Sequence, residues 1–167
     1  MTTRLFSTRL ESPLGPLLLI AEADALCGVY LPEPRWPPAE SGEARADLPI
    51  LVQAARELDE YFSGHRRAFT VPTRAHGTDF QRAVWSELAE IEFGATRSYA
   101  DVARALARPS ATRAVGAANG KNPLSIVVPC HRVIGSDRSL TGYAGGVARK
   151  QWLLDHEARL VGRRLCV

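Results

Sequence analysis

Cys130 and His131 stand side by side in the run Ile126-Val127-Val128-Pro129-Cys130-His131-Arg132-Val133-Ile134. A thiol beside an imidazole is a pairing that nucleophilic chemistry uses, because thiolate is the reactive form and a neighbouring base draws off its proton. The β-branched residues around the pair read as a buried strand or extended segment. Pro129 has no N–H, so it ends any ladder and pre-shapes the backbone into Cys130. Neighbouring side chains of an extended segment point to opposite faces, so a turn or a bridging water has to couple the two. A buried structural cysteine beside a surface histidine fits the same residues. Glu157 lies in an otherwise apolar and basic stretch. It reads either as an ordinary surface carboxylate or as the group that orients His131 in a nucleophile–base–carboxylate relay.

The chain that must position these groups has 167 residues, enough for one domain or two small lobes. Its three cysteines, Cys27, Cys130 and Cys166, are widely spaced and odd in number, so neither a disulfide framework nor a zinc site is expected. Free thiols suit a reducing, cytoplasmic setting. No signal-type segment is read at the N-terminus, and the longest apolar stretch, Leu17 to Ala21, is far too short to span a bilayer. The net charge of +3 is unevenly divided: residues 1–94 carry 9 Lys+Arg against 14 Asp+Glu, whereas residues 95–167 carry 12 against 4. An acidic first part suits a scaffold, and a basic second part suits either a polyanion or a merely solvated face.

Residues 4–10, 17–20 and 26–31 read as three strands of a small antiparallel meander, with Ser12-Pro13-Leu14-Gly15-Pro16 as a turn. Cys27 falls within the third as a core residue. Prolines 32, 34, 37 and 38 then make an irregular loop around Trp36. A helix is predicted over 49–62, with Leu51, Ala54, Ala55, Leu58 and Phe62 on its apolar face, then a short strand at 69–71 and a linker at 72–78. The division expected is therefore a scaffold lobe at 1–75 and a second lobe at 76–167.

That second lobe opens with a helix capped by Thr78 or Asp79 and stopped by Gly94. Ser98 and Asp101 form a capping-box pattern for the next helix. Ser110 is placed to cap a further one over 111–118, stopped by Asn119-Gly120. Two short helices joined by a tight turn match a helix-turn-helix, although any helical hairpin has this pattern. Ala111, Ala114, Gly116, Ala117 and Ala118 leave the last helix almost without side chains. A major-groove reader would carry several polar base-facing residues, and only Arg113 is present. Shape-based or minor-groove DNA contact fits; so does a helix packed tightly into a core. The Gly-rich loop Thr141-Gly142-Tyr143-Ala144-Gly145-Gly146 matches no nucleotide-binding pattern, and its glycines suit a flat pocket walled by Tyr143. A final helix is expected over about 149–160.

Arg113-Ala114-Val115-Gly116, Asn119-Gly120-Lys121-Asn122-Pro123, Pro129-Cys130-His131-Arg132-Val133, Gly142-Tyr143 and Leu153-Leu154-Asp155-His156-Glu157, in this order, resemble the O6-alkylguanine-DNA alkyltransferases. The resemblance spans essentially the whole chain, loosely at first and densely from Thr78 to Glu157. It implies an α+β fold: a ribonuclease H-like lobe with a small antiparallel sheet and a helix, then a mostly helical, winged helix-turn-helix lobe carrying the site. It further implies direct repair of duplex DNA, in which the alkylated guanine is flipped out and its O6 substituent moves irreversibly to a cysteine. O4-alkylthymine is left open as a further substrate. Cys130 is then the acceptor, His131 its base, Glu157 the partner of His131, and Asn122 the hinge residue beside the cysteine. Tyr99 crowds the target phosphate and donates a proton to the leaving guanine, and Arg113 enters the stack in place of the extruded base. Thr96, Ser98, Ala114, Gly116, Asn119 and Lys121 complete the DNA face, while Val133, Tyr143, Ala144 and Gly145 line the base pocket. No cofactor, metal, membrane or obligate protein partner is implied; a monomer is expected, with cooperation along DNA left open.

The physical logic agrees with the resemblance. Dealkylating an aryl ether needs a strong nucleophile, the target atom is hidden in the duplex, and damage arises in any sequence, so base readout is superfluous. Ala144 departs from relatives that carry Ser there, which removes a hydroxyl donor near O6 and leaves backbone N–H to serve. Among rival readings, a non-catalytic damage-flagging relative would lack Cys130. A Cys-His hydrolase gives no reason for the bald helix, and a winged-helix regulator gives none for the Pro-Cys-His-Arg segment.

Overall fold

The computed structural model describes residues 3–163, so Cys166 lies outside the described residues. Strands β1 (Phe6–Leu10), β2 (Leu17–Ala21) and β3 (Leu26–Tyr30) form the expected antiparallel meander. A two-residue strand β4 (Glu43–Ala44), not foreseen, adds in parallel to β1 and gives the order β3-β2-β1-β4. Helix α1 (Pro49–Phe62) lies against this sheet. Its inward face is Ile50, Leu51, Ala54, Leu58 and Tyr61, whereas Ala55 and Phe62 are only partly buried. The apolar face is thus rotated from the predicted one, toward Tyr61. Burying side chains such as Leu17, Leu19, Leu51 and Leu58 stabilises the lobe by about 1.5–3 kcal/mol each.

The strand expected at 69–71 is absent. The Thr70 and Val71 N–H groups donate instead to the buried Glu57 carboxylate, at 2.8 and 3.1 Å. A carboxylate on α1 takes the role that a ladder partner would have played. Burial works against the charged carboxylate, yet hydrogen bonds from Gln53, Thr70 and Val71 outweigh it and lower the Glu57 pKa to about 2.

In the second lobe, α2 (Asp79–Ala89) starts at a capping box between Thr78 and Gln81 and ends before Ile91, which is still buried. Gly94 follows in the left-handed region at φ 78°, and a Cβ there would stand 2.8 Å from a Val161 methyl. A parallel pair, β5 (Arg97–Ser98) and β6 (Val133–Ile134), crosses to the segment after Cys130. Helix α3 (Tyr99–Ala105) has the foreseen Ser98–Asp101 capping box. Helix α4 (Thr112–Gly120) begins after Ala111 with no side-chain cap from Ser110, and it includes Asn119 and Gly120, which were expected to stop it. The Trp85 indole donates to the Ala118 carbonyl at 2.8 Å and fixes α4 on α2. Helix α5 (Val147–Leu160) closes the lobe. Among the described residues no helix is long and apolar enough to cross a membrane.

Candidate active site

Within the run Ile126–Ile134 only Val133–Ile134 is strand, as β6; the part before it is not the strand or extended segment its β-branched residues suggested. Leu124 and Ser125 follow the edge of β3, with the Val29 N–H donating to the Pro123 carbonyl at 2.8 Å and Ser125 N–H to that of Val29 at 3.2 Å. Ile126 then turns through φ 73°, a left-handed conformation that a β-branched residue rarely takes. Asn122 holds this turn from inside: its amide donates to the Val128 carbonyl at 2.9 Å, and its oxygen accepts the Leu124 N–H at 3.0 Å. Cys130, His131 and Arg132 form one 3₁₀ turn, all three buried. That turn, rather than a strand, swings the adjacent thiol and imidazole out of opposite-face geometry.

His131 and Glu157 meet. The Nε2 of His131 contacts Glu157 Oε1 at 2.7 Å, with both side chains at most 1% exposed. The same carboxylate accepts the Tyr61 hydroxyl at 2.8 Å, Arg132 Nε and Nη2 each at 2.9 Å, and the Gly94 N–H at 3.1 Å. The surface-carboxylate reading of Glu157 is therefore overturned. Burial alone would raise its pKa, but the hydrogen bonds and charge around it hold it well below the usual carboxylate range. Burial also depresses the His131 pKa, despite the pull of Glu157. Arg132 is thus the compensating cation and His131 is neutral near pH 7. A neutral imidazole that donates Nε2–H to Glu157 leaves Nδ1 as a bare acceptor. This Nδ1 is buried with no partner among the described residues, as are Asn119 Oδ1 and the Tyr143 hydroxyl.

Cys130 is 3% exposed, and burial raises its thiol pKa. Against that, the Asn122 side chain, the Lys150 charge and the N–H groups of Cys130 and His131 favour the thiolate. Lys150 is fully buried and donates from Nζ to the carbonyls of Val133 and Thr141, at 2.5 and 3.1 Å. Burial lowers its pKa to about 8, so the cation persists at neutral pH. The Tyr99 hydroxyl donates to the same Thr141 carbonyl at 2.9 Å, and its ring faces Lys150 Nζ at 5.7 Å.

The remaining expected residues divide. Arg113, Ala114 and Lys121 are exposed on or beside α4, and Gly116 is half-buried there. The inward side of α4 is Val115, Ala118 and Asn119, so the bald side faces outward and is not a tight packing surface. Asn119 is a correction: it is 1% exposed, too deep for a DNA face, and its amide approaches the Cys130 carbonyl at 3.4 Å. The Ser98 hydroxyl is taken up by the cap, accepting the Asp101 N–H at 3.1 Å, and Thr96 is exposed before β5. A groove of about 200 Å³ runs between Gly116 and Ala117 of α4 and Gly142 and Ala144 of the Gly-rich loop, with Trp36 at its side. Tyr143 and Gly145 are the buried residues of that loop. Val133 is wholly buried and outside the groove's lining; its carbonyl serves Lys150.

Tyr61, Arg132 and Lys150 were not singled out from sequence. Lys150 carried a signal, since it stands three, four and seven residues before Leu153, Leu154 and Glu157 on the inward face of α5. A tyrosine on an apolar helix face is a weaker one, because its hydroxyl needs a partner.

Fold and site together define a two-lobed α+β protein with a thiol and a relay buried behind an outward-facing small-residue helix. The chain belongs to the 6-O-methylguanine DNA methyltransferase family. Residues 5–75 match the model of its ribonuclease-like domain, and residues 79–159 that of its DNA binding domain. It is 42% identical to the constitutive methylated-DNA–protein-cysteine methyltransferase of Bacillus subtilis, over 91% of this chain and 94% of that one. It is 43% identical to the methylated-DNA–protein-cysteine methyltransferase of Mycobacterium tuberculosis, over 89% of each. The crystal structure of Mycobacterium tuberculosis OGT in complex with DNA superposes with a TM-score of 0.86 at 39% identity, covering 93% of this chain and 94% of that one.

Proposed function

We propose that this protein repairs O6-alkylguanine in duplex DNA by taking the alkyl group onto Cys130, once per molecule. The observation that carries the reading is the buried Cys130–His131–Glu157 arrangement behind the exposed small-residue side of α4. Its relatives' names and the DNA complex of the Mycobacterium tuberculosis protein support the same activity.

In this reading α3 and α4 act as a helix-turn-helix. The bald side of α4 lies close to the duplex without reading bases, and the damaged guanine turns out into the groove beside Gly142 and Ala144. Arg113, exposed and without a side-chain hydrogen bond or salt bridge among the described residues, fills the gap in the stack. The thiol proton of Cys130 passes to His131 Nδ1, directly or through a water, while Glu157 holds the imidazole and stabilises the cation that forms. The thiolate attacks the alkyl carbon, an S–C bond forms, and the C–O6 bond breaks. Guanine departs with a proton donated by Tyr99, whose hydroxyl is recharged from the protonated relay through solvent. The thioether is stable, so no second turnover follows.

Intact mass and peptide mapping after mixing the protein with excess duplex carrying one O6-methylguanine test this. One added methyl on the peptide that holds Cys130, with no further turnover, is expected. Unmodified protein that still binds the duplex would replace the proposal with a damage-flagging role.

A further inference from the structure

Trp36 is the one aromatic among the large apolar side chains that remain exposed in the described residues, at 48%. It belongs to the proline-rich loop of the first lobe, yet it stands against the site of the second. The Arg35 N–H next to it donates to the Ala144 carbonyl at 3.3 Å, and Lys121 Nζ lies 5.1 Å from its ring centroid. The indole borders two spaces that share Gly120 and Ala144. The outer one is the 200 Å³ groove beside α4. The inner one measures only about 10 Å³, and Leu31, Pro34, Trp36, Asn122, Ser125 and Ala144 are among the residues that line it. That is no more room than a single water needs. Gly145 and Leu31 close this space tightly, since a Cβ added to Gly145 would stand 2.3 Å from a Leu31 methyl. The inner space leads toward Asn122, the residue that favours the Cys130 thiolate.

We propose that Trp36 is a specificity-determining wall of the alkyl site: it leaves space for a methyl group and holds back bulky O6 substituents. The inference rests on the proposed transfer to Cys130. A purine held in the outer groove with its O6 toward Cys130 directs its substituent along the inner space, where the indole stands. Because Trp36 is half exposed and makes no side-chain hydrogen bond among the described residues, shortening it opens that space without dismantling the lobe.

The test compares wild type, Trp36→Ala and Trp36→Phe for the rate of Cys130 alkylation by three probes: duplex O6-methylguanine, duplex O6-benzylguanine and free O6-benzylguanine base. The benzyl-to-methyl ratio in duplex is expected to rise about tenfold in Trp36→Ala, the scale on which pocket walls discriminate apolar groups. A smaller rise is expected in Trp36→Phe, and the free base should follow the same order. An unchanged or reduced ratio overturns the proposal. Equal losses on both duplexes, with the free base unaffected, overturn it too and make Trp36 a DNA contact instead. Failure of wild type to methylate Cys130 at all would be a failure of the repair reading, separable from any change in ratio. Thermal unfolding of both variants, expected to match wild type, shows that the ratio reports the wall.

Discussion

Among the described residues each lobe buries one thiol, and the two are surrounded differently. Cys27 sits in β3, with the Ile20 carbonyl 3.5 Å from its Sγ. Burial and then the nearby Glu22 charge push its pKa up to about 11. Cys130 is the more buried of the pair and is also raised by burial, but an amide, an ammonium and two backbone N–H groups oppose that rise. Exposure therefore does not separate the inert thiol from the reactive one. What separates them is the balance of the groups packed around the sulfur: backbone N–H groups and the Arg74 charge favour the Cys27 thiolate too, but the Glu22 anion outranks them, whereas Cys130 has the Asn122 amide and the Lys150 cation with no anion set against them.

The sharpest way to break the comparison is to exchange the two for alanine. Cys130→Ala is expected to reduce methyl uptake from O6-methylguanine duplex at least about a thousandfold, the scale of losing a nucleophile, while duplex binding persists. Cys27→Ala should leave uptake unchanged. Uptake surviving in Cys130→Ala would place the acceptor elsewhere.

Glu157→Gln comes next. Removing the charge leaves Arg132 buried without its counter-ion, which should cost about 3–5 kcal/mol in urea unfolding. A loss below about 1 kcal/mol would mean that solvent reaches Arg132.

Lys150→Met tests the cation on the reactive side. Iodoacetamide labelling of Cys130 near pH 7.5 is expected to slow severalfold, with its pH profile moved upward and that of Cys27 unmoved. Lys150 also gives a stability signature. Its folded pKa of about 8 lies below the ordinary 10.5, so the unfolded chain holds more protons between those values. The wild type should therefore gain stability as pH rises through that window, and Lys150→Met should lose the gain. Parallel pH profiles for the two proteins would count against a desolvated ammonium.

The smallest effect belongs to Cys27→Ala, about 1 kcal/mol from the loss of a small apolar side chain. In wild type, peptide mapping should find Cys27 unlabelled until the pH approaches 11. Ready labelling at pH 8 would erase the distinction between the two sites.

Local order was legible in the sequence. The Ser98–Asp101 box, the span of α1 and the meander follow from spacing within a few residues. The Pro-Cys-His-Arg motif stood out because its residues are contiguous. What escaped depends on distant partners. Thr70 and Val71 look like a strand until Glu57 is seen to take their N–H groups. Tyr61 is a core residue of α1, but its hydroxyl reaches a carboxylate 96 residues away. The 3₁₀ turn at Cys130 was hidden because Ile126 adopts a left-handed backbone against its own preference, held there by Asn122 and by pairing to β3. Tertiary context overrides β propensity in that way.

The hydrogen bond from Tyr61 to Glu157 ties the relay carboxylate of the second lobe to a helix of the first. Seen as inheritance rather than chemistry, it makes the two lobes poor candidates for shuffling. A recombinant that joined this second lobe to a foreign first lobe would keep every residue from Asn122 to Glu157 and still lose one acid–base support. Compatible partners are those that bring a hydroxyl to the same turn of α1.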